Sequence, residues 1–117
     1  MDKLYEQTML FDFYGELLTE HQRRVYEDAV YNDLSLSEIA EEQGISRQGV
    51  HDLIKRCDKI LLDYESKLHL VERFAKAKDT VKEIQGLAEE SGEREKADMA
   101  DRLQRIGVLS RELLKEL

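Results

Sequence analysis

Between residues 47 and 59 the chain carries seven polar side chains whose types suit contact with a nucleic acid: Arg47, Gln48, His51, Asp52, Lys55, Arg56 and Lys59. Arginine or lysine can bond guanine through two hydrogen bonds, and glutamine can do the same with adenine. With Val50, Leu53, Ile54 and Cys57 turned inward at helical spacing, Arg47, Gln48, His51, Asp52 and Lys55 point outward. Arg47 and Gln48 then occupy the leading turn, the part that reaches base edges when such a helix enters a major groove. Lys55, Arg56 and Lys59 are better placed for phosphates. Asp52 repels phosphate, yet it could accept a hydrogen bond from cytosine. The same spacing also describes an ordinary solvated helix face, and His51 could equally sit at a helix–helix edge.

What must position these groups is a corner between two short helices. Ser37 is a good N-cap for a helix over residues 38–43, Gly44 suits a left-handed stop, and Ser46 caps a new helix two residues later. Ala40 lies where a larger side chain would push the helices apart, and a Cβ at Gly44 would oppose the required backbone geometry. Val50 returns from the second helix into the crossing, and Ile39, Ile45 and Leu53 complete an apolar cluster around it. Ala40, Gly44 and Val50, spaced four and then six residues apart, give the steric minimum for a helix-turn-helix over about residues 37–57.

Around this corner everything reads as helix. The chain has 117 residues, no proline, six glycines and 38% charged residues, and no stretch alternates with period two. An all-α fold is expected. Residues 3–14 form a first helix that is apolar on several sides, weakened or ended by Gly15. Thr19 and Gln22 make a capping box, with Leu18 as its staple, for a helix to about Tyr31. Asn32-Asp33 signals a turn. The helical spacing that starts at Val50 runs on through Ile84 to Leu87 or Ala88, roughly 66 Å if unbroken, so a bend is expected near residues 65–68. Residues 88–92, ending in Gly92, supply a stop, and a last helix spans about residues 94–116. The expected organisation is a helix-turn-helix module over residues 1–65 and a helical extension over 66–117, a hairpin or dimerisation element.

Charge narrows the reading. Net charge is −8, and residues 1–34 carry three basic against eight acidic side chains, while residues 35–65 carry four against seven. Beyond residue 65 the two signs balance. Acidity in the reading module opposes tight, non-specific phosphate binding. Lone Cys57 on an apolar stripe argues against a disulfide framework, and no apolar run exceeds four residues. The opening MDKLYEQ lacks the basic and apolar segments of a secretory signal. A cytoplasmic protein is expected. Catalysis is not: no phosphate loop or nucleophile elbow occurs. His21, His51 and His69 are not spaced as metal ligands, and Glu38, Glu41 and Glu42 form a solvated face. No cofactor is expected.

The segments LTEHQRRV (18–25) and LSEIAEEQGISRQGV (36–50) resemble region 4 of bacterial sigma factors, whose matching helix reads promoter DNA. Over nearly the whole chain, including the opening YEQTMLFDFYGELLT, the sequence resembles the YlxM family of small helix-turn-helix proteins. That resemblance implies a role in the signal recognition particle pathway, through the habitual gene neighbourhood of the particle's GTPase and its receptor. The acidic first half and Asp52 depart from the sigma pattern. DNA or RNA, components of the particle, and a second copy of the chain are therefore the expected partners. The competing reading is a non-catalytic module that binds a particle component through its acidic helical surface.

Overall fold

The computed structural model describes residues 2–89 and 96–117, and every regular element among them is helical. Helices α1 (Lys3–Tyr14), α2 (Glu20–Val30), α3 (Leu36–Gln43) and α4 (Arg47–Leu68) build a first unit that ends at Val71. Helix α5 (Leu70–Glu89) leads into a second unit, which begins at Glu72 and includes α6 (Lys96–Glu116). No helix among the described residues is long and apolar enough to cross a membrane.

Local signals in the sequence account for most of the boundaries. Asp2 caps α1, and Gly15 ends it in a short 3-10 turn over Gly15–Leu17. Thr19 and Gln22 form the expected capping box, each side chain receiving the other's backbone N–H at 3.2 and 3.0 Å. The cap of α3 differs from the sequence expectation. Ser35 caps it, not Ser37, because Glu38 three residues on reaches back to the Ser35 N–H while Ser35 Oγ accepts from the Glu38 N–H. Reciprocal bonds at both ends of a box satisfy two otherwise orphaned donors, which Ser37 with Ala40 at its third position could not do.

Two buried clusters meet on α4. Leu10, Tyr14, Leu18, Tyr26, Cys57 and Leu61 form one, and Val25, Ile39, Ala40 and Val50 form the other. Leu53 and Ile54 touch both, so α4 is the shared spine of α1, α2 and α3. Polar groups at the edges are paired. Tyr26 Oη donates to Asp58 Oδ1 at 2.6 Å, and Gln7 Nε2 donates to the same carboxylate at 3.0 and 3.3 Å. Tyr31 Oη donates to Asp12.

The continuous spacing from Val50 to Ile84 is interrupted at His69, one residue beyond the expected bend. His69 adopts a left-handed backbone (φ 57°, ψ 27°) and caps α4. Two side chains then take over the first amides of α5. Tyr14 Oη accepts from the Leu70 N–H at 3.1 Å while donating to Glu65 Oε1 at 2.5 Å. The same Glu65 oxygen accepts from the Val71 N–H at 3.0 Å. A break in a helix leaves backbone groups without partners, and here α1 and α4 supply them. In the second unit Glu83 and Arg105 pair at 3.2 Å between α5 and α6, and Leu109 is the one buried residue among those described. Of the stop expected over residues 88–92, the part from residue 90 on lies outside the described residues, as does the helix start at Arg94.

Candidate nucleic-acid interface

The corner between α3 and α4 is built from the backbone outward. Gly44 adopts φ 67°, ψ 31°, and the Ala40 carbonyl accepts from both the Gly44 N–H and the Ile45 N–H, the latter at 3.1 Å. A left-handed residue closing such paired bonds is a common helix stop. Ser46 then accepts from the Gly49 N–H at 2.9 Å and starts α4. At Gly49 an added Cβ would lie 3.1 Å from Ser46 Oγ, so a small residue there leaves room for the cap.

Ile39, Ala40, Val50 and Leu53 occupy the crossing as the sequence suggested. Ile45 does not. It sits in the turn with 37% of its surface exposed and belongs to neither cluster. With Gly44 left-handed and Ser46 extended, the chain at Ile45 runs along the outside of the corner rather than into it.

Arg47, Gln48, His51, Asp52, Lys55, Arg56 and Lys59 are all exposed, so the leading turn of α4 is uncovered within the first unit. They do not form one face. At about 100° per residue, Gln48, Asp52, Lys55 and Lys59 share the stripe opposite the core, Arg47 and His51 flank it on one side, and Arg56 lies about 180° from Arg47. Arg47, Gln48 and His51 border a shallow depression with Leu36 of α3. Arg56 and Lys59 border another with Leu62, Asp63, Tyr64 and Lys67.

Asp52 organises the leading end. Gln48 Nε2 donates to Asp52 Oδ1 at 3.0 Å, and His51 Nδ1 lies 3.6 Å from the same oxygen. The amide that would read a base is thereby bonded to a carboxylate within its own helix, and the local charge of the stripe shifts from neutral or acidic at residues 48–52 to basic at 55–59. Sequence reading placed these groups on a helix but missed the Gln48–Asp52 bond. The spacing of four residues between an amide and a carboxylate was the available signal.

Two features escaped the sequence reading. Lys3 of α1 stands beside Lys55 and Lys59 across the α1–α4 groove, a juxtaposition made by tertiary packing. Tyr26 and Asp58 fasten that groove from beneath, and burial, then the bond to Asp58, pushes the Tyr26 hydroxyl far above its ordinary range. Cys57 is fully buried, which pushes its thiol up to about 11.

With this geometry in view, the comparisons with known proteins are specific. A sequence model of the family described as "Putative helix-turn-helix protein, YlxM / p13 like" (UPF0122) matches residues 1–102. A UPF0122 protein of Clostridium botulinum is 56% identical over 73 residues, covering 62% of this chain and 67% of that relative. One from Acetivibrio thermocellus is 50% identical over 84 residues, 72% of each chain. Another, from Desulforamulus reducens, is 42% identical over 95 residues, 80% of this chain and 81% of its own.

Proposed function

The chain belongs to the YlxM/p13-like helix-turn-helix family UPF0122, and from that premise we propose that it is a non-catalytic regulatory protein that binds duplex DNA through the leading turn of α4. The observation that supports this reading is the left-handed corner at Gly44, which leaves Arg47, Gln48 and His51 exposed at the start of α4. Arg47 is the group suited to guanine. Gln48 becomes available for adenine only by exchanging its bond to Asp52, so base reading competes with an internal contact. Lys55, Arg56 and Lys59 supply phosphate contacts. Acting as a homodimer, the protein would present two such helices to half-sites about 34 Å apart. Exposed Phe74, Val81, Met99 and Leu103 on α5 and α6 favour that assembly.

Titration of a labelled DNA duplex across a salt series tests the proposal. Binding below roughly 100 μM at low salt, weakening linearly on a log–log plot, is the expected result. No binding to the DNA duplex in that range refutes it, and binding to the RNA of the signal recognition particle does not rescue it.

A second reading rests on a different observation. Glu38, Glu41 and Glu42 are exposed along α3, and residues 2–71 carry fifteen acidic against eight basic side chains. That surface suits a basic protein partner. Within the signal recognition particle pathway, to which the gene neighbourhood of the family points, such a partner would be a component of the particle. Capture from cytoplasm that yields the particle's protein without nucleic acid would favour this reading over the first.

A further inference from the structure

The groove between the start of α1 and the middle of α4 concentrates positive charge on an acidic unit. Lys3, Lys55 and Lys59 line it together with Glu6, Asp58 and Leu62, and the three lysines are exposed. Two acids face them, and one is already committed. Asp58 receives Tyr26 Oη at 2.6 Å and Gln7 Nε2 at 3.0 and 3.3 Å, so its carboxylate is held on the wall of the groove, and the three lysines still outnumber the two acids by one. Glu6, in the first turn of α1, is the other acid. Three of the eight cations between residues 2 and 71 therefore meet in one place. Those cations come from two helices, one of them outside the helix-turn-helix.

We propose that this groove holds the phosphodiester backbone of a B-form DNA duplex, on the strand bordering the major groove that the leading turn of α4 enters. The inference rests on the DNA-binding reading above and adds α1 to the contact surface. Along the axis of α4, Lys55 and Lys59 follow Arg47 by about 12 and 18 Å. A major groove is about 12 Å wide, so side chains at that distance pass out of it and over the bordering phosphates. Lys3 then reaches the same strand from the opposite wall. A-form RNA does not suit the arrangement, because its major groove is too deep and narrow to admit a helix. Lys67 lies about 30 Å from Arg47, is held by Asp63 at 3.1 Å, and plays no part.

The test is the salt dependence of binding, because each neutralised phosphate contributes about 0.9 to the slope of log K against log salt. Fluorescence anisotropy with the full chain and a duplex of about twenty base pairs, between about 50 and 200 mM salt, gives that slope. For each bound protomer, Lys3→Gln is expected to lower it by about 0.9, and the triple variant Lys3→Gln, Lys55→Gln, Lys59→Gln by about 2.7. Lys82→Gln, on exposed α5, is expected to leave it unchanged. Far-UV circular dichroism checks that each variant keeps its helices. An unchanged slope for Lys3→Gln, or an equal loss for Lys82→Gln, overturns the groove while the DNA-binding reading stands. A larger effect of Lys3→Gln on an RNA hairpin than on the DNA duplex also overturns it. A wild-type chain that binds no duplex removes both.

Discussion

Replacing Gly44 by alanine isolates the backbone conformation on which the corner depends. At φ 67° an added Cβ would meet no atom within 4 Å, so crowding contributes nothing and only the left-handed backbone is penalised. An L-residue in that region costs about 1–2 kcal/mol. Alanine also has fewer unfolded conformations to lose than glycine, which returns roughly 0.4–1 kcal/mol. The net expectation is a destabilisation of about 1 kcal/mol. With a urea dependence of about 2 kcal/mol per molar, the midpoint falls by about 0.5 M. Tyrosine emission is the natural readout, since all five tyrosines lie between Tyr5 and Tyr64 and report the first unit alone. Gly44→Asn should fall between alanine and wild type, because asparagine tolerates the left-handed region. Gly86→Ala, in the second unit and therefore followed by far-UV circular dichroism, provides the opposite sign. That residue is inside α5 with nothing within 4 Å of the added Cβ, so helix propensity alone should stabilise by roughly 0.8–1 kcal/mol. A Gly44→Ala midpoint at or above wild type would refute the left-handed corner.

Other perturbations probe separate links. Ile39→Ala empties a fully buried site between α2, α3 and α4, and a loss of about 2–5 kcal/mol in urea unfolding is expected. Tyr14→Phe leaves the Leu70 amide without its acceptor and removes the hydroxyl donor to Glu65, which keeps the Val71 N–H; the expected cost is about 1–2 kcal/mol, with faster hydrogen exchange at Leu70 and Val71. Cys57 ionises at about 11 when folded against 9.0 for an unperturbed thiol, chiefly through burial. Tyr14, Tyr26 and Tyr31 are also raised. An acid whose folded pKa is raised stabilises fully below its unfolded value and loses that stability as pH rises. The urea midpoint should therefore be level to about pH 8 and fall from about pH 9 to 11, less steeply in Cys57→Ala. Asp52→Asn removes a negative charge from the reading end and weakens the hold on Gln48, so DNA affinity at low salt should rise severalfold; an unchanged affinity would count against contact at that end.

Elements were legible in the sequence wherever the governing interaction is local. Caps at Thr19 and Ser46, the glycine stop at Gly44 and the apolar spacing of α4 each act within a turn or two of chain, and the structure follows them. Ser35 outcompeted Ser37 for the same reason, once Glu38 is recognised as the reciprocal half of a box. Legibility fails where partners are distant in sequence. The stop at His69 carries no glycine, and what sustains it is Tyr14, more than fifty residues upstream. Ile45 looked like core because it is apolar and adjacent to Gly44, but a left-handed residue followed by an extended one points its neighbour outward. Lys3 could not be assigned beside Lys55 from spacing, since only the packing of α1 on α4 brings them together.

The acidity of the first unit becomes intelligible once the cations are placed. A uniformly basic reader binds any duplex, because phosphate contacts carry no sequence information. Here the surplus of acidic over basic side chains suppresses that general attraction. Apart from Arg23 and Arg24 on α2, the few cations that remain lie along and beside the outer stripe of α4 and on the facing start of α1. On the proposed function Asp52 works in the same direction, since its bond to Gln48 would have to be exchanged for a base, and its charge would repel phosphate at the wrong register. On the proposed function, affinity is then conditional: productive docking requires Arg47, the groove lysines and a base able to displace Asp52 to be satisfied together. The corollary is a trade that Asp52→Asn should expose, with tighter binding to every duplex accompanied by a smaller difference between matched and mismatched sites. If instead that variant tightened binding while leaving discrimination intact, Asp52 would be a solvent-facing residue with no part in selection.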